Sequence, residues 1–222
     1  MKNLVCIFAH PDDEAFGPGG TIAKLSKKFN VYLLCVTKGE VGLKGRTLKV
    51  QSSKLGQERA KEILCSAKVL GVKKVYFLGF TDGTLSNNLY HKIASKIRAY
   101  LLKLKPETLI TYEPQGVSGH LDHIATSMIT MFVAKKLSFV KEVWMVCRPE
   151  SQMRNRPDYF VYFPPGYKKS EIDKTVNVQS VWNKKIEAMM CHQSQINDIK
   201  RLLGMFSKLP KEEYFLVKKL TH

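Results

Sequence analysis

A histidine and three carboxylates follow a short apolar segment near the start of the chain. Residues 4–9 are all apolar, and the next five are His10, Pro11, Asp12, Asp13 and Glu14. An apolar run of this length predicts a strand that is buried on both faces. Pro11 fixes its own φ and favours extended backbone at His10, so the turn after the strand is stiff. An imidazole and carboxylates held on a stiff turn indicate a metal site.

A second cluster, His120-Leu121-Asp122-His123, lies in the other half of the chain. Apolar residues recur at helical spacing from 121 to 132, which places both histidines in the first turn of a helix and on nearly the same face. Two histidines and a carboxylate from different strand ends would leave a coordination position open for water, as catalytic zinc sites do. For either cluster taken alone, a helix start with a capping aspartate is the alternative interpretation.

An alternation of predicted strands and helices positions both clusters. We expect strands at 31–37, 75–78, 108–112 and 143–147, with helices between them at 22–25, 55–70, 89–101 and 121–132. This order favours right-handed βαβ units, and therefore an α/β, Rossmann-like three-layer fold with a mostly parallel sheet. Glu40 and Asp82 follow the second and third strands. Because ligands bind at the carboxyl ends of parallel strands, one edge of the sheet would collect every polar cluster.

The last third of the chain has a different character, with more Pro, Tyr and Phe. Residues 159–163 predict an antiparallel strand, and a helix from Trp182 leads into His192-Gln193-Ser194-Gln195. We interpret residues 1–222 as one domain, with a parallel α/β core at 1–148 and a small C-terminal α+β appendage at 149–222. The polar stretch 43–53 is predicted to be a mobile loop.

The net charge is the unusual feature of the composition. Of 222 residues, 36 are Lys or Arg and 19 are Asp or Glu, so the formal net charge is +17. Such a chain favours anionic partners, but its lysines are spread over the whole length without a basic run of five. Two explanations are therefore open: a generally basic surface, or recruitment of an anionic substrate by Lys38, Lys44, Arg46 and Arg59.

The cysteines and the apolar segments bear on the compartment. The five cysteines are odd in number, widely separated and without a Cys-x-x-Cys pair. This pattern suggests neither a zinc-thiolate site nor a disulfide framework, so we expect buried free thiols in a reducing compartment. No segment approaches the ~20 apolar residues of a membrane span, and the N-terminus does not resemble a signal peptide. We therefore expect a cytoplasmic protein.

The two clusters resemble the motifs of a known family. Residues 9–14, Ala-His-Pro-Asp-Asp-Glu, are similar to the signature of the PIG-L/LmbE-type zinc-dependent N-deacetylases, and residues 120–123 to its second motif, usually His-Pro-Asp-His. Further similarity lies at 59–62, 70–72, 78–83 and 192–195. The resemblance implies a hydrolase that removes the N-acetyl group from an N-acetylglucosamine-type amino sugar or its conjugate.

The resemblance also implies roles for the matching residues. The implied metal ligands are His10, Asp13 and His123. The implied catalytic residues are Asp12, His120 and Asp122. The implied substrate contacts are Arg59 and Asp82. Zinc suits these ligands, and iron(II) or another divalent metal would also bind. Asp12 would be the general base, and His120, as a cation oriented by Asp122, would stabilise the oxyanion. No chemical role is assigned to His192, and Ser118 stands where some members carry an assisting tyrosine.

Two other functions compete with the hydrolase. A Rossmann-like protein that binds anions or nucleic acid around a vestigial site would lack a ligand or the base, and none is missing. A nucleotide- or methyl-donor-dependent transferase would need a Gly-x-Gly turn, which the glycines at 17–20 do not supply. We therefore expect a small N-acetylated amino sugar as partner and no nucleic acid, and leave homo-oligomerisation open.

Overall fold

The computed structural model describes residues 1–42, 49–153 and 162–221, with side chains omitted at 49–52. The strands of its sheet are β1 (Asn3–Phe8), β2 (Asn30–Cys35), β3 (Lys74–Phe77), β4 (Thr108–Tyr112), β5 (Glu142–Cys147), β6 (Lys174–Asn177) and β7 (Glu212–Lys219). The helices are α1 (Asp13–Phe16), α2 (Gly19–Leu25), α3 (Lys49–Leu70), α4 (Tyr90–Leu104), α5 (Gly116–Gly119), α6 (Leu121–Ala134), α7 (Trp182–Met190) and α8 (Ile196–Phe206).

The strands form one mixed sheet in the order β3-β2-β1-β4-β5-β7-β6. The first five strands are parallel, and β7 pairs antiparallel with both β5 and β6. The chain moves outward from β1 to β3 and then returns to place β4 on the other side of β1. The gap between the ends of β1 and β4 is thus the point where the strand order reverses, where open α/β sheets bind ligands.

Alternate residues of β1 fill two separate layers of the core. Leu4, Cys6 and Phe8 belong to an apolar cluster that also takes residues from α2, α3 and α7. Val5 and Ile7 belong to the cluster formed with α4 and α6. A strand covered on both faces needs an unbroken apolar sequence, which is the pattern at residues 4–9.

The α/β fold with a mostly parallel sheet is confirmed, and the five parallel strands lie within one or two residues of their predicted positions. The prediction of a loop at 43–53 is wrong from residue 49 onward, because α3 begins there. Residues 43–48 lie outside the described part. Two antiparallel strands, β6 and β7, were not predicted. Of the predicted strand at 159–163, residues up to 161 are outside the described part, and 162–163 are not in a strand.

The expectation of free cysteines is wrong for two of the five. Cys65 on α3 and Cys191 after α7 form a disulfide, with their Cα atoms 5.8 Å apart, whereas Cys6, Cys35 and Cys147 are free and buried. The partners are 126 residues apart in sequence, so spacing gave no sign of the pair. The inference of a reducing compartment loses this support. Among the described residues, no helix is long and apolar enough to cross a membrane.

Candidate metal centre and catalytic site

The polar residues predicted at the strand ends meet in one place. His10 follows β1, Asp82 follows β3, and Asp122 and His123 lie in the first turn of α6, after β4. The His10 ring lies at their centre, and its side chain is 8% exposed. Glu40, after β2, accepts a hydrogen bond from the Asp82 amide at 3.3 Å. The edge predicted to collect the clusters therefore does so.

The His10 ring is oriented by two carboxylates. Its Nε2 lies 2.9 Å from Oδ1 of Asp82 and 3.2 Å from Oδ2 of Asp122. Burial lowers the pKa of His10, but hydrogen bonds to Asp122 and Asp82 and the charge of Asp13 outweigh it and raise the pKa to about 10. A carboxylate on one ring nitrogen is how metal-binding histidines are usually held, and here it would direct the other nitrogen, Nδ1, towards a bound ion.

The His123 ring is held in the complementary manner. Its Nδ1 lies 3.1 Å from the carbonyl oxygen of Gly116 in α5, so Nε2 is left with its lone pair. The ring stacks on Tyr112 with centroids 4.2 Å apart and planes 5° apart. Burial lowers the pKa of His123 to about 4, although the charge of Asp13 opposes this. His123 is therefore neutral near pH 7, as a metal ligand must be.

Three ligand atoms converge on one point. Nδ1 of His10 lies 3.1 Å from Nε2 of His123. The Asp13 carboxylate has one oxygen 3.3 Å from His123 Nε2 and the other 3.7 Å from His10 Nδ1. Two imidazole nitrogens at this separation need a cation or a proton between them. Zinc bound at about 2.0–2.1 Å in a tetrahedron sets its ligands roughly 3.4 Å apart, so the donor set fits such an ion.

A second group could also hold a metal ion. His10, His120 and Asp122 likewise offer ligand atoms that all lie within 4.8 Å of one another. In this set, however, Asp122 lies against the ring nitrogen of His10 that already faces Asp82. The set of His10, Asp13 and His123 leaves that orienting contact intact, and it is the one that the sequence motif predicts.

Tyr112, the last residue of β4, was not predicted to belong to the site. Its hydroxyl donates to Oδ2 of Asp13 and accepts from the amide of Ala9 at 2.8 Å. Burial raises the pKa of Asp13, but the charges of His123 and His10 and the bond from Tyr112 hold it below its usual value. A tyrosine that ends an apolar strand at the ligand-bearing edge was the available signal.

Asp12 has an unusual backbone. Its φ is 114°, a left-handed value that few non-glycine residues adopt. Its Oδ2 accepts a hydrogen bond from Arg59 at 2.9 Å. Burial raises the pKa of Asp12, the guanidinium of Arg59 lowers it, and the charge of Asp13 raises it, with a net value of about 7. A carboxylate with a pKa near neutrality is suited to accept a proton in catalysis.

His120 and Asp122 differ from their predicted arrangement. His120 is the N-cap of α6, and its Nδ1 accepts the amide hydrogen of Asp122 at 3.1 Å, so a proton on the neutral ring sits on Nε2. Burial and the positive charge of His10 lower the pKa of His120, which disfavours the predicted cation. The Asp122 carboxylate instead accepts from the amides of Gly83 at 2.8 Å and Leu85 at 3.2 Å, and faces His10.

The two predicted substrate contacts face inward. Arg59 is 4% exposed and donates to the carbonyls of Gly39 at 2.9 Å and Pro11 at 2.5 Å, besides Asp12. A Cβ at Gly39 would collide with this guanidinium. Asp82 is 6% exposed and bonded to His10 and to the Val41 amide at 2.9 Å. Arg59 therefore contacts the predicted base, Asp12, and Asp82 contacts the predicted ligand His10; direct substrate contact by either stays a prediction.

The chain is similar to known proteins in sequence. Residues 5–134 match the family model described as PIG-L: GlcNAc-PI de-N-acetylase. A probable N-acetyl-alpha-D-glucosaminyl L-malate deacetylase 2 of Bacillus cereus is 29% identical over 197 residues, which cover 87% of this chain and 84% of that protein.

Two solved structures share the fold. The N,N'-diacetylchitobiose deacetylase of Pyrococcus horikoshii has a TM-score of 0.73 at 22% identity, and the match covers 98% of this chain and 84% of that one. A 4-carboxy-2-hydroxymuconate hydratase of Pseudomonas putida has a TM-score of 0.71 at 18% identity, covering 100% and 99%. Since one fold serves two chemistries, the residues of the site must decide between them.

Proposed function

The chain belongs to the PIG-L (GlcNAc-PI de-N-acetylase) family, and from this premise we propose that it is a metal-dependent deacetylase of N-acetylglucosamine-type conjugates. The observation that carries the proposal is the convergence of three ligand atoms, from His10, Asp13 and His123, next to the partly buried carboxylate of Asp12. Zinc is the ion that best suits two imidazoles and one carboxylate, with iron(II) and cobalt as close competitors.

The residues around the ligands supply the proton transfers of amide hydrolysis. A divalent ion held by the three ligands would polarise the acetyl carbonyl and lower the pKa of water. Asp12 accepts the proton of the attacking water as the new C–O bond forms. It then returns that proton to the sugar nitrogen as the C–N bond breaks, releasing acetate and a free amine.

His120 is assigned to the developing oxyanion. Because Nδ1 accepts the Asp122 amide, we assign Nε2–H as the group that donates a hydrogen bond to the oxyanion. Its lowered pKa makes it a neutral donor, which stabilises an oxyanion without first carrying a charge. The neutral form proposed here differs from the cation that the resemblance implies.

The substrate is proposed as an amino sugar with an acetamido group and a further attached group. A cleft of about 290 Å³ is lined by Lys38, Glu40, Ser53, Gly56, Gln57 and Thr81, and Glu40 in its wall accepts a hydrogen bond from the Asp82 amide. Lys38 is exposed there, whereas Arg59 is turned inward, and Lys44 and Arg46 are outside the described part. Among the described residues, Lys38 is therefore the cation that could attract an anionic attached group.

We also retain the interpretation of residues 1–222 as one domain, with 149–222 as an appendage, because β7 pairs with β5 in the same sheet.

Acetate release is the direct test. The purified protein is incubated with N-acetylglucosamine, diacetylchitobiose and N-acetylglucosaminyl conjugates of malate and inositol, before and after chelation and re-addition of zinc, iron(II) or cobalt. We expect release from at least one conjugate, its loss on chelation and its return with metal. Protein that holds about one metal ion per chain and releases acetate from none of these compounds would overturn the proposal.

A further inference from the structure

The backbone of Asp12 needs support from its surroundings. A non-glycine residue is strained at φ 114°, so other groups must hold it there. Its carbonyl accepts the amides of Ala15 at 3.0 Å and Phe16 at 2.8 Å. Its own amide donates to Oε2 of Glu14 at 3.1 Å. Glu14 is thus the side chain that fixes the amide of the proposed base.

Glu14 is itself held by two donors from distant parts of the chain. It is 0% exposed, and its Oε1 accepts from Nε2 of His192 at 2.8 Å and from the hydroxyl of Ser66 at 2.5 Å. The residues immediately before these donors, Cys65 and Cys191, form the disulfide. The covalent bond therefore joins the two backbone positions that surround the Glu14 carboxylate.

The His192 ring is poorly explained by packing alone. It is 0% exposed, and within the described part of the chain its Nδ1 has no hydrogen-bond partner. Leaving such an atom buried without a hydrogen bond destabilises the fold, and an apolar ring of similar size would avoid this penalty. What an apolar ring could not do is donate to Glu14.

We infer that His192 and Glu14 are positioning residues for the general base: His192 fixes the Glu14 carboxylate, which holds the Asp12 amide and keeps the base in its left-handed conformation. This inference rests on the proposed deacetylase function. It adds His192 to the site, although His192 is 180 positions from Asp12 in the sequence. The sequence alone assigned no chemical role to this histidine.

The test compares two substitutions of His192. His192→Gln places an N–H close to the position of Nε2 and keeps the bond to Glu14, whereas His192→Leu removes it. We expect His192→Leu to lower kcat about 10- to 100-fold, because a small misplacement of a catalytic group has effects of this size, with KM and metal content unchanged. His192→Gln should retain most of kcat. Equal kcat in wild type and His192→Leu would overturn the inference.

A second measurement does not depend on activity. The Asp12 amide, protected from hydrogen exchange by its bond to Glu14, should exchange faster in His192→Leu and Glu14→Gln, but not in His192→Gln. Lys185→Met is the matched control, because it breaks a different buried ion pair and should leave Asp12 protected. Unchanged protection of Asp12 in both His192→Leu and Glu14→Gln refutes the positioning role. Absence of acetate release by the wild type would instead refute the proposed function, and the exchange result would still stand.

Discussion

Two buried pairs, each of a basic side chain and a glutamate, lie on the same side of the sheet. Their carboxylates accept backbone amides from different parts of the molecule. In one, His192 binds Glu14, whose carboxylate accepts the amide of Asp12. In the other, Lys185 binds Glu213 at 2.6 Å, and Glu213 accepts the amides of Gly20 at 2.9 Å and Thr21 at 2.7 Å. Each carboxylate is thus bonded to a basic side chain and accepts amide hydrogens at the start of a helix.

The difference lies in the backbone that each carboxylate holds. Gly20 and Thr21 are in the first turn of α2 and carry no group proposed for the chemistry. Asp12 precedes α1, is strained, and carries the proposed base. A buried ion pair is weak evidence for stability by itself. Its role depends on the residue whose amide the carboxylate accepts, so we expect the His192–Glu14 pair to affect kcat and the Lys185–Glu213 pair to affect stability.

The largest effect should come from the base itself. Asp12→Asn removes proton transfer but leaves the three ligands in place, so kcat should fall roughly 10² to 10⁴-fold with metal content unchanged. Steady-state kinetics with metal analysis checks this. A kcat within tenfold of wild type would show that Asp12 is not the base, and would remove the basis of the comparison.

Lys185→Met should give the opposite result. It leaves the Glu213 carboxylate buried without its cation, so the free energy of unfolding should drop by about 3–5 kcal/mol. Lys185 donates to Gly17 and Glu213, and within the described part of the chain it has no hydrogen bond to Asp12 or to the proposed metal ligands. We therefore expect kcat to stay at the wild-type value. Urea unfolding and kinetics on one preparation test both halves. A parallel loss of kcat would mean that the two pairs do not differ in this way.

Asp82→Asn should have an intermediate effect confined to metal binding. The change weakens the contact that orients His10, and loss of such a partner typically costs 10- to 100-fold in metal affinity or activity. Competition with a chromophoric chelator measures the affinity. The same affinity in Asp82→Asn and wild type would indicate that Asp122 alone orients the ring.

The smallest effect is a difference in pH dependence between the two pairs. Burial lowers the pKa of His192, but the Glu14 charge and hydrogen bond raise it above its usual value. Stability from this pair is therefore complete below about pH 6.5 and is lost as pH rises through the folded-state pKa. For Lys185, burial lowers the pKa by more than the charge and hydrogen bond of Glu213 raise it. The contribution of Lys185 to the free energy of unfolding therefore rises as the pH increases towards about 10.5.

Urea unfolding at a series of pH values should reveal this opposition. The stability difference between wild type and His192→Leu should shrink as pH rises above 6.5. The difference between wild type and Lys185→Met should grow towards pH 10. Identical trends for the two variants would contradict the assignment of opposite shifts.

The sequence predicted the parts of the molecule that depend on local pattern. The apolar run at 4–9 predicted a strand buried on both faces, and the strand ends predicted which polar residues meet. It did not predict β6, because Lys174–Asn177 is short and partly exposed at the sheet edge. Nor did it predict the contact of His192 with Glu14, because the two residues are 178 positions apart and have no shared periodicity.

The direction of the Arg59 side chain could not be predicted, for a related reason. A family motif identifies a residue as part of a site but not the direction of its side chain. Here the left-handed glycine at position 39 leaves space for the guanidinium to turn inward to Asp12. Direction of this kind follows from tertiary packing, which a single sequence does not record.

The disulfide also changes the unfolded chain. Joining Cys65 to Cys191 closes a loop over 126 positions that contains β3, β4, β5 and His123, while β1, with His10 and Asp13 after it, lies outside. In the chain-entropy model, a loop of this length restricts the unfolded ensemble by about 5 kcal/mol. The oxidised and reduced proteins are therefore two covalent isoforms of one fold, and the thiol state of a preparation sets its resistance to denaturation.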